Sequence, residues 1–170
     1  MATAQEVRSK LIGSWSLIES RTELRDKPTD EPFILYTIGQ DAQGTVIFSP
    51  DGYVATQLMR PGAIKWASDN LLAGTPEELA DTARHFLAYA GTFDVEINEQ
   101  GEALIWIQLN LSSFPNWLGD RQQRAATFKD GVLTLKSPSF ELQVILLPTC
   151  PSRKLADFRR DSGEDRPTGI

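Results

Sequence analysis

The segment Ser49-Pro50-Asp51-Gly52, followed by Tyr53-Val54-Ala55-Thr56-Gln57-Leu58-Met59, restricts the fold of this chain more than any other. Pro50 presets its own φ and Gly52 accepts positive φ, so the first residues turn and those after them read as extended chain. Residues 44–48 run into the same turn from the other side, which makes an antiparallel hairpin. Arg60 and Pro61 stop the second strand. Tyr53, Ala55, Gln57 and Met59 form one face of that strand, and Val54, Thr56 and Leu58 the other. The expectation is that the first set points inward, so that Tyr53 and Gln57 touch whatever the fold encloses.

Similar units follow along the chain. A short helical lead-in at 7–12 precedes Gly13 and an alternating strand at 14–19, and the two prolines and several charges of 26–32 are loop composition. Residues 92–97 and 103–111 flank Asn98-Glu99-Gln100-Gly101, residues 125–128 and 132–136 flank Asp130-Gly131, and 142–147 close the series. Between the strands, Thr75-Pro76-Glu77-Glu78 carries a capping box with proline at the first helical position. That start predicts a helix over 76–90, with Leu79, Ala83, Phe86, Leu87 and Ala90 as its apolar stripe and Gly91 as its end. The expected fold is mainly β: an antiparallel barrel of about eight strands with one inserted α-helix, a size that encloses one small ligand. Residues 104–107 and 144–147 are apolar on both faces, so the helix or a second subunit in a homodimer is expected to cover their outer sides.

Composition removes several classes of function. With 17 basic against 23 acidic residues the formal charge is −6, which repels phosphate backbones and argues against nucleic acid as a partner. Cys150 is the single cysteine, so neither an intrachain disulfide nor a cysteine-based zinc site can form. The first residues lack the apolar core of a secretory signal and no segment has the length of a membrane-spanning helix, so a cytoplasmic protein without membrane contact is expected. A single domain is expected over 1–150, with the charged residues 151–170 as a mobile tail. One histidine, no phosphate-cradling glycine loop, no G-x-S-x-G elbow and no metal-spaced cluster argue for no cofactor and no metal.

The chain resembles the lipocalin-like domain family of bacterial and fungal proteins. The resemblance rests on Leu11-Ile12-Gly13-Ser14-Trp15, the Ser49 to Tyr53 turn, Gln57-Leu58-Met59-Arg60-Pro61 and Gly74-Thr75-Pro76-Glu77-Glu78. It continues in Tyr89-Ala90-Gly91-Thr92-Phe93 and Pro115-Asn116-Trp117-Leu118-Gly119, with Gln122 and Arg124 beyond. What it implies is a small barrel with an internal cavity, Trp15 packed at the closed end, and, by analogy with fungal barrels of natural-product pathways, cofactor-free isomerase or cyclase chemistry. Where such relatives carry histidine in the strand before Pro115-Asn116-Trp117, this chain has Gln108 and Asn110.

With no strong catalytic constellation, the remaining chemistry is that of shape, aromatic faces and a few hydrogen bonds. Arg124, alternating with Gln122 onto one face, is the leading candidate to hold a ligand carboxylate or enolate and to stabilise developing charge. His85 is a candidate general base, and on the expected helix it shares a face with Tyr89 four residues on. Tyr53 completes the candidate catalytic set. Arg60, Trp66, Trp106, Phe114 and Trp117, with Gln57, Gln108, Asn110, Asn116 and Tyr89, are the candidate ligand-binding residues: aromatic lining punctuated by a few polar groups. Asp94 and Glu96 read as solvated on the outside of the barrel, with an inward, proton-transferring carboxylate as the sharper alternative. The expected activity is a cofactor-free isomerase or cyclase acting on a hydrophobic polyketide or terpenoid intermediate inside the barrel. The alternatives are a carrier or sensor that binds such a ligand unchanged, and a structural protein whose barrel is filled by side chains.

Overall fold

The computed structural model describes residues 2–25, 31–137 and 142–149. Cys150 and the expected tail lie outside them, as does most of the 26–32 loop. Among the described residues nine strands form one antiparallel sheet: β1 (Gly13–Leu24), β2 (Phe33–Leu35), β3 (Gln43–Phe48), β4 (Tyr53–Met59), β5 (Phe86–Ile97), β6 (Ala103–Ser112), β7 (Arg121–Lys129), β8 (Val132–Lys136) and β9 (Leu142–Pro148). From β3 to β9 each strand pairs with the next, β3 pairs with β1, and β1 pairs with β9. The sheet therefore closes into a barrel of eight strands, with β2 attached beyond the ring at the far end of β1. A register shift between Leu17 and Glu19 bends β1. Its first residues can then pair with β3 and its last with β2.

The turns form where their chemistry demands them. Asp130 and Gly131 both hold positive φ, 52° and 78°, as a two-residue hairpin turn of matching twist requires. One end of the barrel is sealed by α1 (Ala4–Leu11), whose capping box joins Thr3 and Glu6 and whose Val7 and Leu11 enter the core. There the Trp15 indole donates to the Leu11 carbonyl at 2.7 Å, and Phe48 meets Phe93 edge to face at 5.0 Å. Arg8 lies over the Phe93 ring at 4.7 Å and donates to the carbonyls of Phe93 and Pro50. Above this floor Leu17, Val46, Val54, Ile105, Ile107, Leu109, Leu133 and Leu146 fill the inner face.

Two expectations about elements are corrected. The helix starts at the predicted cap, with Thr75 accepting from the Glu78 amide and Glu78 from the Thr75 amide, but α2 is Pro76–His85. Residues 86–90 belong to β5 because the neighbouring β4 offers them an unbroken ladder, from Met59 opposite Phe86 to Tyr53 opposite Thr92. That pairing outweighs a helical periodicity which has nothing to pack on: no residue of α2 is buried, and Leu79 is exposed. Gly91 therefore does not end a helix. It is buried in mid-strand at the β5–β6 register shift, where a side chain would collide with the Gln108 carbonyl.

The second correction is parity. Val54, Thr56 and Leu58 are buried, at 1%, 3% and 5% exposure, whereas Tyr53 is 55% exposed and Gln57 points the same way. The β-branched and aliphatic set goes inside. The outer side of Trp106 is covered within the chain: its indole donates to Glu96 at 2.9 Å and Arg121 stacks over the ring at 4.6 Å. Among the described residues no helix is long and apolar enough to cross a membrane.

Candidate functional site

The candidate site is built from β7 outward. Ile105 and Ile107 of β6 are buried on the inner face, and they stand opposite Arg124 and Gln122, so both polar side chains share that face. Arg124 is only 8% exposed. One of its terminal nitrogens donates to the Gln123 carbonyl at 2.7 Å and the other to Gln122 Oε1 at 2.6 Å. Among the described residues it has no carboxylate partner. The other buried polar residues, Ser20, Thr22, Thr56 and Ser137, are neutral. Several kcal/mol, by order of magnitude, is the cost of holding an unpaired charge away from water.

Aromatic groups gather toward the end of the barrel away from α1. Tyr89, near the start of β5, meets Trp117 edge to face at 5.7 Å, and Phe114 meets Trp117 in the same manner at 5.5 Å. Phe114 and Trp117 sit on the β6–β7 connection, around a single 3-10 turn (Pro115–Trp117), and this connection leads directly into the strand of Gln122 and Arg124. The connection is pinned: the Leu109 amide donates to the Asp120 carbonyl, the Gly119 amide to the Leu109 carbonyl and the Ser113 amide to the Ala88 carbonyl. The Gln108 side chain, on the outer face, donates to the Gly119 carbonyl at 2.8 Å. Tyr89 is half-buried, and among the described residues its hydroxyl makes no hydrogen bond.

Arg124, Tyr89, Phe114 and Trp117 thus gather on the inner face and its rim, while the remaining candidates lie apart from them. Tyr53 is on the outer face beside the β3–β4 turn, at the sealed end. His85 ends α2, its Nδ1 2.8 Å from the Asp81 carbonyl oxygen and 3.4 Å from the Asp81 carboxylate. It shares no helix face with Tyr89, which is a strand residue. The three residues expected to be catalytic are therefore not assembled at one place. Gln57 and Trp106 face outward, Asn110 is the extra residue of the β5–β6 bulge, and Asn116 is exposed on the 3-10 turn. Arg60 is exposed along Gly39, and Trp66 donates to Thr82 on α2. Asp94 and Glu96 are exposed on the outer face.

Residues 61–75 are tied to α2. Ile64 and Ala67 donate their amides to Asp81 and Glu78, at 2.8 and 2.7 Å. The Thr75 amide, then the Ala67 amide, holds the Glu78 carboxyl below its ordinary range. An open groove of about 560 Å³ also crosses the outer face, lined by Glu23, Arg25, Glu102, Gln123 and Lys136 among others. It contains no aromatic side chain, and Glu23 there is already held by Arg21, Arg25 and Gln143. The inner site has the stronger unmet demand for a partner.

Ser20, Thr22, Thr56 and Ser137 belong to the inner face and were not anticipated from sequence. Thr56 was readable from strand parity once the buried set was known. For Ser20 and Thr22 there was no such signal, because the shift at Leu17/Glu19 switches the inward parity of β1 from Trp15 and Leu17 to even positions.

Comparison with known proteins adds the following. The lipocalin-like domain model matches residues 12–143. The 4'-hydroxy-3'-methoxypropiophenone carrier protein ppsC of Aspergillus oryzae is 37% identical over 87 residues, a stretch that covers 49% of this chain and 78% of that protein. Among solved structures, the crystal structure of a mutant of the fluorescent protein UnaG aligns with 83% of this chain and 97% of its own, at 12% identity and a TM-score of 0.34.

Proposed function

This chain belongs to the lipocalin-like domain family, and on that premise we propose that it is a carrier that takes a small, flat, largely apolar molecule at the open end of its barrel and releases it unchanged. The observation that supports this most is Arg124, a guanidinium buried among neutral groups on the inner face that Tyr89 shares, on the strand entered from the connection that carries Trp117 and Phe114. A flat ring fits the rim through stacking and edge contacts, and a polar oxygen on that ring fits the guanidinium. The relative from Aspergillus oryzae is named for carrying an aryl ketone with a phenolic hydroxyl, which is a molecule of this description.

A cofactor-free isomerase or cyclase asks for more than binding. Arg124 would polarise a carbonyl, but a second group must move a proton in concert with it. His85 and Tyr53 stand elsewhere, so the carrier reading is preferred. The test is titration of the protein with 4'-hydroxypropiophenone, followed by Trp emission and calorimetry, with chromatography of the recovered ligand. Saturable binding with unaltered ligand is expected. Chemical conversion would favour the enzyme, and absence of binding to aryl ketones would overturn the carrier.

A further inference from the structure

We infer that this barrel selects the ionised form of its ligand: the group that meets Arg124 is an anionic oxygen on an aromatic ring, a phenolate or a carboxylate. The inference rests on the carrier reading and deepens it. A guanidinium has five N–H donors and always carries its charge. Two bonds, to the Gln123 carbonyl and Gln122 Oε1, are made to neutral acceptors, and no carboxylate among the described residues balances the charge. A neutral carbonyl would add one more hydrogen bond and leave that charge uncompensated. An anionic oxygen supplies the charge-assisted bond and removes the cost of burial together.

Among the described residues no carboxylate competes on the inner face. Across from Arg124 stands Ile105, and the buried polar groups of the face are Ser20, Thr22, Thr56 and Ser137. The charged residues of the surrounding strands face the other way: Glu19, Arg21 and Glu23 on β1, Asp94 and Glu96 on β5, Arg121 and Lys129 on β7, Lys136 on β8. Tyr89 shares the inner face, and its hydroxyl can donate a hydrogen bond, which also favours an anion. When a phenol binds, its O–H bond breaks heterolytically, the electron pair stays on oxygen, and the proton passes to the buffer. The pKa of the bound phenol is then lowered by about 1–3 units, as for a carboxyl beside an arginine.

The sign follows. Apparent affinity is highest above the free phenol's pKa and falls as pH drops through it, until the lowered pKa of the bound form is reached. The experiment is a spectrophotometric pH titration of 4'-hydroxypropiophenone with and without excess protein, because the phenolate absorbs at longer wavelength than the phenol. In the complex the phenolate band is expected at least one pH unit lower. On wild-type protein the methyl ether 4'-methoxypropiophenone, which cannot ionise, is expected to bind at least tenfold more weakly. 4-Propionylbenzoate, already anionic, is expected to bind at least as tightly as the phenol. Arg124→Met is expected to abolish the band shift and, with it, the preference for the phenol over the ether. Equal affinity for phenol and ether with no band shift overturns the anion inference and leaves the carrier standing. Binding of none of the three ligands overturns both, and the two comparisons on wild-type protein decide the matter if Arg124→Met does not fold.

Discussion

The two ends of the barrel solve opposite problems with similar side chains. At the sealed end Phe48, Phe93 and Trp15 are buried, their polar handles satisfied: the Trp15 indole by Leu11, and the Phe93 carbonyl by Arg8 and its charge. At the opposite end Tyr89, Trp117 and Phe114 form an equally regular edge-to-face cluster that is only partly covered, and the inner face carries a guanidinium, Arg124, with no carboxylate partner among the described residues. Aromatic packing at one end is saturated and at the other it is short of a partner. On the proposed carrier reading, stability and recognition are spatially divided, although both draw on the same aromatic chemistry.

The division can be broken by experiment. Phe93→Ala is expected to cost about 3–5 kcal/mol of folding stability by denaturant unfolding, with ligand affinity unchanged wherever the variant is folded. An affinity loss without a stability loss would deny that the sealed end is purely a floor. Trp117→Ala is expected to weaken ligand binding by about 2 kcal/mol, roughly thirtyfold in Kd, while moving the unfolding midpoint far less than Phe93→Ala does. Removing the helix cap with Thr75→Ala is expected to cost about 1 kcal/mol, confined to α2. Its amides should then exchange faster with solvent while those of β3, β6 and β8 keep their protection.

The smallest effect concerns acid. The Glu78 carboxyl is held below its ordinary value of 4.5 by the amides of Thr75 and Ala67, so its contribution is complete above that value and is lost as pH falls through the lowered folded pKa. The 61–75 segment should therefore loosen from α2 at acid pH before the barrel floor does. Trp66, whose indole is bonded to Thr82 on that helix, reports it by fluorescence. Simultaneous loss of both ends would erase the distinction.

Much of the barrel was legible because turn and cap chemistry is local. Asp130-Gly131, the Ser49 to Gly52 turn and the Thr75 cap all form as their residues dictate. Arg124 and Gln122 were readable as a pair because alternation on one strand depends on nothing remote. The end of α2 was not legible: residues 86–90 suit a helix by spacing and a strand by partnership, and only the presence of β4 decides. Nor could local sequence orient β4, whose two faces mix apolar and polar residues. An aromatic ring at Tyr53 and an amide at Gln57 resembled cavity lining, yet the closed sheet puts the more compact Val54, Thr56 and Leu58 inside.

The backbone bond from the Arg60 amide to the His85 carbonyl, at 2.8 Å, joins the two ends of the segment that carries α2. Its attachment points are thereby fixed on adjacent strands, and the entropy of closing such a loop grows only slowly with its length. The stretch between behaves as a cassette: it can be shortened, lengthened or exchanged without disturbing a single rung of the barrel. A fold arranged in this way can change the neighbourhood of its opening through one insertion site while its interior is inherited intact.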